Sequence, residues 1–120
     1  HFWIKKEQKE VKFPLKISFC NVNDISIATT NTIFVDEDKL LFPLEIRKWQ
    51  EGDWFYPHGM EGKKKLSKFF KDEKFSIIDK SNAWLLCSDN QIVWVIGKRI
   101  DERFKVTIGT TKILKINYTA

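Results

Sequence analysis

Cysteine occurs only twice in this 120-residue chain, at Cys20 and Cys87, with neither a C-x-x-C pair nor a neighbouring histidine, which excludes a cysteine-framed metal site. Each cysteine lies in or at the end of an apolar run, I-S-F-C and W-L-L-C. The pair therefore reads as two buried thiols of a reducing compartment rather than a disulfide. Histidine is equally scarce. His1 is terminal, and His58 stands beside Gly59 with no serine or cysteine in a nucleophile setting, so it reads as a turn residue with a partly exposed ring. Neither G-x-G-x-x-G nor G-x-x-x-x-G-K-[ST] is present, because Gly59 and Gly62 are too close together and Gly62-Lys63 precedes neither Ser nor Thr. The expectation is a chain with no catalytic residue, metal or cofactor of its own. No apolar run approaches the roughly 18 residues that span a bilayer, and no signal-peptide pattern opens the chain. The expectation is a soluble, cytoplasmic protein without a membrane partner. The chain opens His1-Phe2-Trp3 without an initiator methionine, and the expectation is a fragment of a longer protein.

What is plentiful is aromatic and basic. Five Trp and ten Phe provide the material for one packed core, and the length suits one domain. With 21 Lys and Arg against 16 Asp and Glu, the formal charge is +5, favouring an anionic partner such as nucleic acid or an acidic surface. The excess is concentrated in residues 62–74, G-K-K-K-L-S-K-F-F-K-D-E-K, where six lysines meet two acids. At 100° per residue Leu66, Phe69 and Phe70 fall on one apolar arc and Lys64, Lys68 and Lys71 on the opposite side. An amphipathic helix is expected over residues 63–73, with a cationic stripe suited to a phosphate backbone or simply to solvent.

The remainder reads as strands. Residues 2–10 give a ragged strand or short helix. V-K-F-P-L-K-I-S-F from Val11 alternates as a half-buried strand, with Pro14 at an edge. A hairpin or meander is expected over residues 25–35, and a turn or single helical turn over residues 36–39. Residues 42–49 form a strand with Leu44 and Ile46 inward and Glu45 and Arg47 outward. A turn at Q-E-G-D follows, and residues 76–80 suit an added helical turn. A-W-L-L-C and Q-I-V-W-V-I, divided by Ser88-Asp89-Asn90, signal a hairpin of buried strands. Two further strands are expected around Gly109. The fold class is mainly β (α+β): a compact β sandwich or barrel of about seven to nine short, mostly antiparallel strands with one amphipathic basic helix.

Outside the helix, Arg47 and Lys48 precede Trp49, Lys98 and Arg99 follow Gly97, and Arg103 precedes Phe104. These cations join the helix in one basic patch if they share its face; Arg47 and Arg103 have the competing option of pairing with Glu45, Asp101 or Glu102. Trp49, Trp54, Trp84 and Trp94 read as core rather than as base-stacking residues. Glu51, Asp53 and Glu61 sit in turns, and Asp53 after Gly52 reads as a turn-former. The candidate set for contact with a phosphate backbone, which becomes the expected RNA-binding set under the resemblance described next, is Lys63, Lys64, Lys65, Lys68, Lys71, Arg47, Lys48, Arg99 and Arg103.

The run F-P-L-E-I-R-K-W-Q-E-G-D-W-F-Y-P-H-G-M-E-G-K-K-K-L-S-K-F-F-K-D-E-K, followed by I-V-W-V-I-G-K-R-I-D-E-R-F-K-V-T, resembles the C-terminal domain of bacterial tRNA(Ile)-lysidine synthetase. The family pattern is matched at Arg47, Gly52, Asp53, Phe55, Pro57, Gly59, Gly62, Lys64, Lys65, Leu66, Phe69, Phe70 and Asp72. The resemblance covers residues 32–108, leaving residues 1–31 as an extra β segment of a single domain, 1–120. It implies a parent enzyme that uses ATP with Mg to adenylate the wobble cytidine of tRNA(Ile) and attach lysine, through an N-terminal catalytic domain whose S-G-G-x-D-S motif is absent here. It further implies a C-terminal domain that holds the tRNA acceptor stem, with a fold shared with a domain of the phenylalanyl-tRNA synthetase β subunit. Where many members carry an Arg and a Pro after the helix, this chain has D-K-S-N-A-W, with Lys80. A homodimer stays open. The alternative is an interdomain or protein-interaction scaffold whose basic helix docks an acidic surface.

Overall fold

A computed structural model describes residues 1–119. Its centre is the hairpin of β8 (Trp84–Ser88) and β9 (Gln91–Val95). Asp89 and Asn90 link these strands, both with φ in the left-handed region, at 48° and 65°. Asp and Asn tolerate that region because their short polar side chains hydrogen-bond locally, and such a two-residue link matches the twist of paired strands. On one side of the hairpin lie β5 (Leu44–Lys48) and then β1 (Phe2–Ile4); on the other lies β10 (Arg99–Ile100). The order β1-β5-β8-β9-β10 makes a five-stranded antiparallel sheet.

A second antiparallel sheet is ordered β2-β3-β11-β4, from Glu10–Val11, Lys16–Val22, Ile113–Thr119 and Thr32–Asp36. Alternation is clearest in β3, where Ile17 and Phe19 are buried between exposed Lys16, Ser18 and Cys20. Those residues meet Ile33, Val35, Leu114 and Ile116 from their own sheet and Ile4, Leu44, Ile46, Leu86 and Trp94 from the five-stranded one. This is the core of a β sandwich.

The other face of β8 and β9 is buried as well. Leu85, Cys87, Ile92 and Val95 pack with Phe55, Leu66, Phe69 and Phe70, so the hairpin serves two cores and its strands read as continuous apolar runs. A small sheet of β6 (Trp54–Phe55) and β7 (Lys64–Lys65) leads directly into helix α1 (Leu66–Asp72). A second, short helix, α2 (Ile77–Ser81), follows; Ser76 caps it, accepting from the Asp79 N–H while Asp79 accepts from the Ser76 N–H.

Several local expectations change. The described residues form eleven strands in three sheets. Residues 25–29 form no strand, and the Thr29 hydroxyl instead accepts from the N–H groups of Asn31 and Thr32. Pro14 lies outside β2 and β3, and residues 102–109 hold a 3-10 turn, Glu102–Phe104, rather than a strand. The basic helix begins at Leu66, because the backbone of Lys64 and Lys65 is occupied in pairing with β6. Glu45 is buried, and Arg47 is largely so. Cys20 is exposed whereas Cys87 is buried, and both are free.

Candidate functional site

Helix α1 is fixed from below. Leu66, Phe69 and Phe70 are fully buried; Phe69 meets Phe55 edge-on at 5.1 Å, and Phe70 meets Trp49 in the same way. The Leu66 N–H donates to the Asp53 carbonyl at 2.8 Å, which satisfies one of the donors that a helix start leaves open. Asp53 also receives both guanidinium nitrogens of Arg47 at 2.9 Å and the Gln50 N–H at 2.7 Å. Arg47 is thus a half-buried clamp between β5 and the turn before β6, and hydrogen bonding to Asp53 raises its pKa further.

The lysines follow the turn at residues 58–62: Lys63 directly after it, Lys64 and Lys65 on strand β7, and Lys68 and Lys71 on α1. Lys63, Lys64, Lys65 and Lys68 surround one open cleft of about 440 Å³ together with Met60 and Glu61. Their charges are unequal. Lys64 lies 2.5 Å from Asp72, and Lys68 lies 3.5 Å from the same carboxyl. The hydrogen bond from Lys64 holds Asp72 below the usual carboxylate range. Lys64 is therefore a structural strut off the helix, and no stripe of Lys64, Lys68 and Lys71 exists. Lys63, Lys65 and Lys71 are exposed, and no carboxylate lies within salt-bridge distance of them among the described residues.

Trp54 completes this face. It pairs in register with Lys65, so the two side chains leave the same side of the ribbon. Lys63 Nζ stands 4.7 Å from the ring centroid and the Arg103 guanidinium carbon 5.1 Å from it, with Tyr56 edge-on at 5.5 Å. Trp54 remains 39% exposed, in contrast to Trp94, which is fully buried, and to Trp49 and Trp84, which are partly so. The sequence-based reading of Trp54 as core is corrected. The signal that would have found it was present: in W-F-Y only one face of a two-period strand points inward, and Phe55 occupies it.

Arg103 is oriented by Asp101, a fully buried carboxylate that receives its Nε and a terminal nitrogen at 3.0 Å, its backbone N–H at 2.7 Å, and the Tyr56 N–H at 2.9 Å. The remaining candidates stand apart from the Trp54 face. Lys48 donates to the Ser81 carbonyl and lies over Trp84. Arg99 reaches Glu73 and the His58 carbonyl and lies over Phe69. Lys80 offers its carbonyl to Trp49 Nε1 at 3.1 Å. His58 is a turn residue with an exposed ring, bonded to Glu102 at 2.7 Å; the hydrogen bond from Lys105, then that from His58, keeps Glu102 below its ordinary pKa.

Fold and surface together define an antiparallel β-sandwich domain with a basic, aromatic-bearing margin. The chain belongs to the family of the TilS substrate C-terminal domain, whose model matches residues 44–117. It is 48% identical over 109 residues to a tRNA(Ile)-lysidine synthase of Parabacteroides distasonis, covering 88% of this chain and 25% of that protein. To the enzyme of that name from Bacteroides thetaiotaomicron it is 46% identical over 83 residues, covering 69% and 20%. The chain thus spans about a quarter of the length of such relatives. In three dimensions it matches a crystal structure of a TilS C-terminal domain with a TM-score of 0.80 at 21% identity, over 99% of this chain and 96% of that one.

Proposed function

We propose that this chain is the tRNA-binding C-terminal domain of a tRNA(Ile)-lysidine synthase, gripping the acceptor stem while a separate N-terminal catalytic domain carries ATP with Mg and joins lysine to the wobble cytidine. The observation that carries the reading is the Trp54 face: one exposed ring flanked by Lys63 and Arg103, with Lys65 beside it and Lys71 further along the helix. Family membership supplies the enzyme to which such a face belongs.

An A-form stem hides its base edges in a deep, narrow major groove, so charge and shape govern the grip. Each lysine that neutralises a phosphate steepens the dependence of log K on log salt by roughly 0.7 to 0.9. Filter binding of an acceptor-stem minihelix over a salt series tests this. Replacing Lys63, Lys65 and Lys71 together by Gln should flatten the slope by about 2 to 3, nearly independently of stem sequence. Replacing Lys112 and Lys115 by Gln should change it less. An unchanged slope in a folded triple variant would transfer the face to a scaffold role.

A further inference from the structure

We propose that the Trp54 ring is a stacking platform for one unpaired nucleotide at the end of an RNA stem, so that this face selects stems with a single-stranded terminus over blunt ones. The inference rests on the RNA-binding reading above and adds the part of the RNA that Trp54 meets. It starts from a ring held in place yet left open. Trp54 is 39% exposed, although its neighbour Phe55 is fully buried in the core beneath α1. The Trp54 backbone is fixed by pairing with Lys65, and the Asp53 carbonyl just before it accepts from the Leu66 N–H at 2.8 Å. An aromatic ring presented by such a fixed strand gives up little freedom on binding.

The two cations beside the ring differ in how firmly they are held. Arg103 is immobilised by the fully buried Asp101, which binds its Nε and one terminal nitrogen at 3.0 Å, and its guanidinium carbon lies 4.8 Å from the Tyr56 ring as well as 5.1 Å from that of Trp54. Lys63 is exposed, without a carboxylate in salt-bridge distance among the described residues, and its Nζ rests over the Trp54 ring at 4.7 Å. A base stacked on an aromatic ring is worth more than an exposed cation–π contact. The base therefore takes the place of the Lys63 ammonium, which is released to the adjoining phosphate.

Volume decides from which opening the base arrives. Arg103 and Trp54 border a notch of about 120 Å³, below the range of roughly 300 to 1,000 Å³ that small-molecule sites occupy. Lys63 and Lys65 border the cleft of about 440 Å³, which falls within it. That cleft suits one nucleotide rather than a base pair, and Lys65, exposed at the same cleft, is a second cation for the phosphate. Within a stem each base face is covered by its neighbours in the stack, so a side-chain ring finds an open face only on a base outside the pairing.

The test is filter binding of the 120-residue chain to one acceptor-stem minihelix in several forms: blunt, with a single unpaired nucleotide at the 3′ or the 5′ end, and with an abasic residue in that position. One of the two overhangs should bind about tenfold tighter than the blunt stem, the scale of one stacked base. Its abasic form carries the same phosphate without the base and should lose that advantage. Trp54→Leu, which keeps bulk but no ring, should remove the advantage, and Trp54→Phe should retain part of it. Trp3→Leu, at a tryptophan on β1 that is 59% exposed, should leave it intact. Equal affinities for blunt and overhanging stems, an advantage kept by the abasic form, or one that survives Trp54→Leu overturns the platform while the RNA-binding reading stands. Failure of every stem to bind overturns both.

Discussion

Cys87 shows how far a single residue's chemistry departs from its free form in this fold. Burial between the β8–β9 hairpin and α1 pushes its thiol from 9.0 up to about 12, with Arg47 acting weakly the other way. The folded chain therefore keeps the proton that the unfolded chain releases above pH 9. Stability is fully present below that pH and falls by about 1.4 kcal/mol per pH unit as pH rises towards 12. Urea denaturation from pH 8 to 11 should show this slope, and Cys87→Ala, although less stable at pH 8, should show a shallower one. Equal slopes would mean that the thiol does not titrate differently in the two states. Half of this was legible. The run W-L-L-C predicts a buried Cys87, but I-S-F-C does not predict an exposed Cys20, because the side of a half-buried strand that faces water depends on register. Asp53 was similarly half legible: Gly52-Asp53 announces a turn, while the grip of its carboxylate on Arg47 depends on strands brought together by the fold.

At the scale of elements, the amphipathic period located α1 and its apolar arc, and Phe69 and Phe70 are where the sequence puts them. Phe69 is 1% exposed and packed against three other rings. Phe69→Ala should therefore cost about 3 to 5 kcal/mol in chemical denaturation, the range for large-to-small changes in a closed core. A loss below about 1 kcal/mol would mean that the helix is not anchored by this face. The start of the helix was not legible, since periodicity extends a helix as far as its pattern allows and cannot see that β6 has claimed the preceding two residues. That shift decides where the two lysines point. Lys64 and Lys65 point to opposite sides of a two-residue strand, one to Asp72 and the other beside Trp54, and a helical reading gives them neither role.

The whole molecule joins two cores across one hairpin, and the sandwich class was legible from its many short alternating runs. The sheet assignments were not. The first 31 residues read as an appended β segment, yet they contribute β1 to one sheet and β2 and β3 to the other. Nothing in a local pattern says that a strand will pair with β5, forty residues away in sequence. That pairing has a consequence for solubility. Leu44, Glu45 and Ile46 of β5 are all buried, and β1 covers the edge they would otherwise offer with three residues of its own, too short to template a neighbour. Deleting residues 1–6 should bare a longer, more apolar edge, and sedimentation velocity should then show stronger concentration-dependent self-association than in the intact chain. Identical sedimentation of the two would show that the edge is guarded by something else. Strand β1 thus acts on β5 as a short cover over a longer apolar edge, and changes to it are expected to be read out as self-association before they are read out as unfolding.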